Sequence, residues 1–480
     1  MELIFPACCD RVVLNYNILK METIEEILSQ ERIEDIIEEL KYKTVCIRPW
    51  EELRKEYDPK LHPVWTDKSY RDIVKKNGGL VRQCRIALGL QKLAVKRIGE
   101  LCFGLPVKRV YKPKTEGEKR AARILEDIFK KNRIDSVNNE RSRYLYASCE
   151  FATIWYTQKK PSIYAGEATT YRLRCKSYSP MKDTEIYPRF DEYDDLIALS
   201  LAYSRKKGDT TTEYFETYTE TRHLRWRKDQ GGTWEEDMAP EEIYIEKIPG
   251  VYAYREEPIW EDESPNVYEA EWTLSRNGNY LRKNLKPKWV VFTDENIKFG
   301  NERDTDVTSR DVLKYPKDAK AGYETWDQAI DSLKYHIETI RQNFFSQLQL
   351  PEMSSDAMKS MPMSAESRKM IFIDGELKVT DESGLWYEAF YREINVVKAY
   401  AKKMYPGLAE DFDALSVEVV ITPYQIQDEA EKVNIYTNAT GKQVMSRRTA
   451  VERLGYVDDV DEEMALIQAE EMAELGEPTM

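Results

Sequence analysis

Residues able to bind a metal or attack a substrate are few in this 480-residue chain, and they lie far apart. The three histidines stand singly: His62 precedes a proline in a loop, His223 falls in a strand-like region and His336 on a helical stretch. A zinc site or a histidine-based triad would need distant segments to converge on them. Seven cysteines, an odd number, occupy positions 8, 9, 46, 84, 102, 149 and 175, and only Cys8 and Cys9 are close. With no C-x-x-C pair to build a zinc or redox motif, they read as reduced thiols, mostly buried as small apolar groups. Two acidic runs, Asp191-Glu192-Tyr193-Asp194-Asp195 and Asp458-Asp459-Val460-Asp461-Glu462-Glu463, offer carboxylates to Mg²⁺ or Ca²⁺, but neither has the glycine and spaced ligands of a calcium loop. The first reads as a turn between strands, the second as the acidic opening of a helix. Phosphate-cradling G-x-x-x-x-G-K-[ST], dinucleotide G-x-G-x-x-G and zinc-protease H-E-x-x-H motifs are all missing. The chain does not read as an enzyme, and no metal or cofactor is expected.

Composition narrows the class further. A formal charge of −14, with 41% apolar and 33% charged residues, describes a chain that dissolves and still fills several cores. No apolar run approaches the 18 or so residues of a membrane span, and Leu196 to Tyr203, the longest plausible one, fits a single strand. The first residues lack the basic start, apolar middle and small-residue cleavage site of a secretory signal. Neither a secreted nor a membrane-spanning protein is expected. Length alone suggests about three domains of roughly 150 residues.

The elements follow from periodicity. Residues 21–41 predict one amphipathic helix, with Ile24, Ile27, Leu28, Ile36, Ile37 and Leu40 on its apolar stripe. After a loop rich in Pro and Trp, helices are expected over 69–103, 116–132 and 137–151. From Ala152 to Tyr254 the texture changes to Tyr, Thr, Trp and Ile in short runs. Strands are expected at 185–190, 196–204, 213–219 and 223–227, with Lys207-Gly208-Asp209 and Gln230-Gly231-Gly232 as turns. Alternation over 213–221 puts Phe215 and Thr217 on one face and Tyr214, Glu216 and Tyr218 on the other, predicting one wet side. Helix resumes to Leu285, a compact stretch with a strand at 289–293 fills 286–323, and a helix is expected from Glu324 to Leu348. On it Trp326, Ile330, Leu333, Ile337, Ile340, Phe344 and Leu348 recur at spacings of 4, 3, 4, 3, 4 and 4, a stripe roughly 37 Å long. Residues 350–363 hold two prolines and four methionines and cannot continue it. Helix restarts at Ser364, a good N-cap, carries Gly375 and Gly384 in its middle, and stops at Pro406-Gly407. A strand at 416–422 and a helical region from Gln427 to about Leu475 complete the expected elements.

This order of elements resembles the portal proteins of tailed double-stranded DNA bacteriophages, over most of the chain. Glu185-Ile-Tyr-Pro-Arg-Phe-Asp-Glu-Tyr-Asp-Asp195 followed by Ala198-Leu-Ser-Leu-Ala-Tyr203 is similar to that family's wing segment of acidic turn and alternating strand. The helix, compact insert and helix of 265–348 resemble its stem, clip and stem. The stretch 350–363 followed by Met363-Ser-Ala-Glu-Ser-Arg-Lys-Met-Ile-Phe-Ile-Asp-Gly-Glu-Leu-Lys378 resembles its tunnel loop and the long helix behind it, with Gly375 a departure from the usual helix former. Gly441-Lys-Gln-Val-Met-Ser-Arg-Arg-Thr-Ala450 and Val457-Asp-Asp-Val-Asp-Glu-Glu-Met464 resemble its C-terminal signature. Residues 1–65 match no part of it.

The resemblance implies an α+β portal fold assembled as a ring. Its parts would be an N-terminal arm (1–65), a wing (66–263), stem helices (264–285 and 324–348) around a small clip (286–323), a tunnel loop (349–363), a long wing helix (364–407) and a helical crown (408–480). It implies about twelve subunits at one capsid vertex, passing double-stranded DNA during packaging and ejection. The expected partners are the terminase large subunit, major capsid and scaffold proteins, and head-completion or tail adaptor proteins, with no membrane. The virion, assembled in host cytoplasm, is the expected location.

Site residues follow on the same footing. Met353, Ser354, Ser355, Asp356, Met358, Lys359 and Met361 would line the DNA channel; the flexible methionines suit a segment that repacks, and a plain linker would read alike. Lys286, Lys288, Asp294, Glu295 and Lys298 would meet the terminase or adaptor, although Lys283, Lys286 and Lys288 equally fit a solvated helix end. Trp326, Ile330, Leu333, Ile337, Ile340 and Phe344 would pack the stem, or form an ordinary core helix. The Tyr- and Trp-rich strands suit base stacking or sheet packing. Net negative charge suits a duplex held loosely, or solubility alone. A cytosolic scaffold without nucleic acid is the rival reading, and a carboxylate-dependent nuclease a more distant one.

Overall fold

The computed structural model describes residues 23–43, 45–74, 76, 78–208, 210–284, 288–292, 320–324, 330–352, 365–424, 429–457 and 460–476. It is 50% helical and 23% strand, a mixed helix and sheet architecture. The single helix expected over 21–41 is two, α1 (Ile24–Leu28) and α2 (Ile33–Leu40). Thr23 and Glu26 form a capping box at the start of α1. Ser29 ends that helix by donating its hydroxyl to the Glu26 carbonyl (2.8 Å). The break lets both short helices lay Ile27, Ile36, Ile37 and Leu40 on one sheet face.

Next come α3 (Trp50–Tyr57) and the short α4 (Pro63–Thr66). The helix expected from residue 69 gives way to a single 3-10 turn (Lys68–Tyr70), a ribbon, β1 (Ile73–Val74) with β2 (Leu80–Val81), and an extended run to Gly89; the α-helix described within the span is α5 (Leu90–Phe103). Gly78 at φ +81° turns the ribbon, a conformation a helix cannot contain. Then follow β3 (Lys108–Lys112), α6 (Glu116–Lys131) and α7 (Ile134–Ser148), close to expectation.

The strand-rich region forms two main sheets. β4 (Glu150–Gln158) leads to a small hairpin, β5 (Ser162–Tyr164) with β6 (Glu167–Thr169), and to β7 (Arg172–Tyr178). A meander follows: β8 (Thr184–Phe190), β9 (Leu196–Lys207), β10 (Thr210–Tyr218), β11 (Arg222–Asp229) and β12 (Glu235–Glu242), an antiparallel sheet in the order β12-β11-β10-β9-β8. β13 (Gly250–Tyr254) returns to β4, giving a second sheet ordered β13-β4-β7.

Neither face of the meander is wet where it matters. Phe215, paired across strands with Ala202 and Trp226, lies fully buried under α1 and α2. On the opposite face Ile186, Leu199, Leu201 and Tyr218 pack on Ala152, Ile154 and Tyr252 of the second sheet. The expectation of one solvated side failed because residues 24–40 supply a lid that strand alternation cannot reveal. Glu216 is buried too, satisfied by the hydroxyls of Tyr203 (2.5 Å) and Tyr218 (3.0 Å).

Beyond the sheets, α8 (Ser264–Asn284) leads to a hairpin of β14 (Lys288–Phe292) and β15 (Lys320–Glu324). α9 (Ile330–Gln347) follows; Glu324, expected to open this helix, is instead a strand residue paired with Lys288. α10 (Ala365–Met404) is one helix of 40 residues, about 60 Å long. Its buried face crosses the main core, where Trp386 meets Phe103 (4.7 Å), Phe151 (5.6 Å) and Phe390 (5.8 Å). Gly375 fits a close crossing: a Cβ there would lie 3.2 Å from Leu101 and 3.3 Å from Pro351. α11 (Ala409–Ala414) and β16 (Ser416–Val420), paired with β3, return the chain to the core. α12 (Glu429–Gly441), α13 (Arg447–Leu454) and α14 (Val460–Gly476) make up the helical region expected at the end, α13 ending at Gly455 with φ +69°.

Candidate functional site

The long extended run before α5 is fastened to α8. Backbone N–H groups of Leu88, Ile86 and Cys84 donate to Glu271 Oε1 (2.6 Å), Ser275 Oγ (3.0 Å) and Asn279 Oδ1 (2.5 Å). Alternate residues of an extended chain advance about 6.7 Å, while four helical residues advance about 6.0 Å, so three successive contacts stay in register. Gly278 permits the approach, since a Cβ there would sit 2.5 Å from Cys84 Sγ.

The start of α8 is rooted by charge. Glu56 on α3 accepts from Arg48 (2.6 Å), from Trp260 Nε1 (3.0 Å) and from Ser264 Oγ (3.0 Å), and Arg48 also reaches Glu261 (2.6 Å). His62, fully buried, lies with Nδ1 2.7 Å from Glu271 Oε1 and Nε2 2.7 Å from the Glu56 carbonyl. These are structural partnerships rather than catalytic ones.

Burial along α9 is graded. Leu333, Ile337 and Ile340 are half-buried, whereas Phe344, Phe345, Leu348 and Leu350 are buried in the main core. The helix is anchored at its C-terminal end. Past it, the Leu350 N–H donates to the Phe345 carbonyl (2.9 Å), Arg341 holds Glu352 (2.9 Å), and Pro351 is buried beside Gly375.

Of the residues singled out from the sequence, Leu333, Ile337, Ile340 and Phe344 share one helix as expected. Ile330 begins that helix and Lys288 begins β14. Met353, Ser354, Ser355, Asp356, Met358, Lys359, Met361, Lys286, Asp294, Glu295, Lys298 and Trp326 lie outside the described residues, as do Cys8, Cys9, Asp458 and Asp459. Sequence reasoning missed the lacing of 84–88 onto α8. Its signals were Glu271, Ser275 and Asn279 spaced by four, with Gly278 among them.

Among the described residues, the chemistry-bearing side chains found here are structural in their surroundings. Burial pushes the thiols of Cys102 and Cys149 up to about 12 and that of Cys175 up to about 11, away from nucleophilic thiolate. Asp191 Oδ1 accepts the N–H groups of Tyr193 (2.9 Å) and Asp195 (2.8 Å), making the first acidic run a turn. Asp461, Glu462 and Glu463 occupy the first turn of α14, and Asp461 pairs with Arg448 (2.7 Å). Among the described residues no group of three or more metal-ligating side chains converges, and no helix is long and apolar enough to cross a membrane. What the described residues offer is packing: α8 and α9 lie in contact, and the β14–β15 hairpin falls between them in the chain.

A family model described as phage portal protein, SPP1 Gp6-like, matches residues 47–476. A search of curated proteins finds no match. Among solved structures, the chain is similar to one from the neck of an empty gene transfer agent particle computed with C6 symmetry. That match has 9% identity and a TM-score of 0.40, covering 76% of this chain and 89% of the other. A second, from the neck of the native particle computed with C12 symmetry, has 8% identity and a TM-score of 0.38, covering 86% and 95%. A third, from the virion of the native particle, has 8% identity and a TM-score of 0.38, covering 88% and 98%.

Proposed function

Since the chain belongs to the SPP1 Gp6-like family of phage portal proteins, a structural and non-enzymatic family, we propose that about twelve copies close into a ring at one capsid vertex. Double-stranded DNA is packaged and later ejected through its axis. In this reading residues 66–263 are the wing, α8 and α9 the stem, and 286–323 the clip that docks terminase and then head-completion or tail proteins. Residues 349–363 are the loop facing DNA, α10 the long wing helix, and 408–480 the crown. Lys286, Lys288, Asp294, Glu295 and Lys298 are docking residues, and Met353, Ser354, Ser355, Asp356, Met358, Lys359 and Met361 the DNA-facing ones.

The single observation that carries the reading is the family match across 47–476. The half-buried stripe Leu333, Ile337 and Ile340 agrees with it, because closed heterologous contacts are a way to cover a one-sided helix. Negative-stain images of purified full-length protein, with native mass measurement, test it. Annular particles of about twelve subunits are expected. A lone particle at every concentration and salt, with no ring in capsids, would overturn it.

A further inference from the structure

Charge in the layered part of the molecule is sorted by depth. Phe129 of α6 meets Trp155 of β4 edge-on (6.0 Å, 89°) inside the main core. Ala152 and Ile154, on the other face of β4, pack on Ile186, Leu199 and Leu201 of the meander. The far face of the meander carries α1 and α2. The order is therefore α6, second sheet, meander, then α1 with α2. The strand β3 lies beside α6, with Arg109 4.3 Å over Phe129. These two outermost layers differ in sign. Residues 108–133, which form β3 and α6, hold ten Lys or Arg against four Asp or Glu. Residues 23–43, which form α1 and α2, hold three against seven.

Folding sharpens the contrast, because minority charges in each layer are spent inside the fold. In the basic layer Glu118 is buried and accepts the Lys114 N–H (2.7 Å), and Asp127 accepts the Ala165 N–H (2.9 Å). In the acidic layer Lys41 lies 5.9 Å over Phe215 and Lys43 reaches Glu150 (2.8 Å), leaving Arg32 beside Asp35 (3.9 Å). What faces outward is a stripe of one sign on each side. Lys119, Arg123 and Lys130, spaced by 4 and 7, are exposed along α6. Glu31, Asp35 and Glu38 are exposed on the side of α2 away from the buried Ile36, Ile37 and Leu40.

We propose that the β3–α6 face of one copy lies against the α1–α2 face of the next, the inference resting on the ring reading above. A head-to-tail contact needs two different faces of one chain that complement each other. Opposed charge there fixes partner and register and speeds encounter more than it adds affinity. A nucleic acid would match the basic layer alone, whereas a second copy matches both.

The test is native mass measurement of full-length protein at low salt, where exposed charges are least screened. One variant carries Lys119→Glu, Arg123→Glu and Lys130→Glu; another carries Glu31→Lys, Asp35→Lys and Glu38→Lys. Each alone should need about ten-fold more protein for half-assembly than the wild type. Mixed one to one they should form rings in which the two masses alternate, because one now has two acidic faces and the other two basic ones. Arg123→Glu and Asp35→Lys as single substitutions repeat the test should either triple variant lose its thermal transition. Wild-type rings together with unchanged assembly of each variant, or no rescue on mixing, overturn this contact and leave the ring standing. Loss of duplex binding with intact assembly in the α6 variant gives the basic layer to nucleic acid and overturns it too. No ring from the wild type overturns both the contact and the ring.

Discussion

Glu393 on α10 meets the Arg141 guanidinium at 2.5 and 3.2 Å and accepts Trp155 Nε1 at 3.0 Å, with both charges almost wholly buried. Arg141 Nε is spent on Thr153 Oγ1 (2.9 Å). Replacing such a pair by apolar residues is often neutral, whereas removing one partner strands the other charge. Glu393→Ala should therefore cost about 3–5 kcal/mol, read as a lowered urea midpoint; a loss near zero would mean that water reaches Arg141. His223 makes the opposite case. It stacks on Tyr218 at 4.2 Å, near Glu216 (3.9 Å), Glu241 (3.5 Å) and Arg225. Burial holds its pKa below the ordinary value despite the two carboxylates. Its unfolded form thus takes up protons first, so its contribution is complete above about pH 6.5 and declines as pH falls through that value. In His223→Gln the fall of the thermal midpoint between pH 6.5 and 5 should be shallower; an identical slope would assign that acid sensitivity to other groups.

Among the elements, the lacing of 84–88 to α8 yields a prediction whose sign is diagnostic. Gly→Ala inside a helix ordinarily stabilises by about 1 kcal/mol. At Gly278 the added Cβ would press within 2.5 Å of Cys84 Sγ, and overpacking costs about 1–3 kcal/mol. Gly278→Ala should be net destabilising and should speed hydrogen exchange across 82–90, with Cys84→Ala restoring part of the loss. A stabilised variant would show that the lacing yields freely. The same lacing explains what the sequence hid. Strands β8 to β11 and helices α6, α7 and α10 were legible because period-2 and period-3.6 patterns and turn residues lie within each segment. Residues 69–89 misled because their partners, Glu271, Ser275 and Asn279, are almost 200 positions away. The break at Ser29 and the covered Phe215 face were hidden likewise, since only tertiary contact decides them. Of the candidate site, the stripe on α9 was readable, whereas the place of Glu324 in a strand rather than in that helix was not, because its partner Lys288 lies 36 positions earlier.

At the scale of the whole molecule, charge and proposed role pull against each other. Duplex DNA presents one phosphate charge per roughly 1.7 Å, and proteins that hold it neutralise those charges with Lys and Arg. This chain carries −14, and a ring multiplies that figure by its copies. For a clamp the sign is wrong. For a conduit it is useful, because each phosphate contact made must be broken before the duplex advances, and repulsion from an acidic wall keeps the duplex centred. Solubility alone would also account for acidic surfaces, but it makes no demand on the lumen. The two accounts separate when assembled rings are titrated with labelled duplex at falling ionic strength. A conduit should bind weakly throughout, with a shallow dependence of affinity on salt, because few counterions are released. Tight association with a steep slope would mean a basic lumen hidden behind an acidic exterior, and transport would then have to work against a grip.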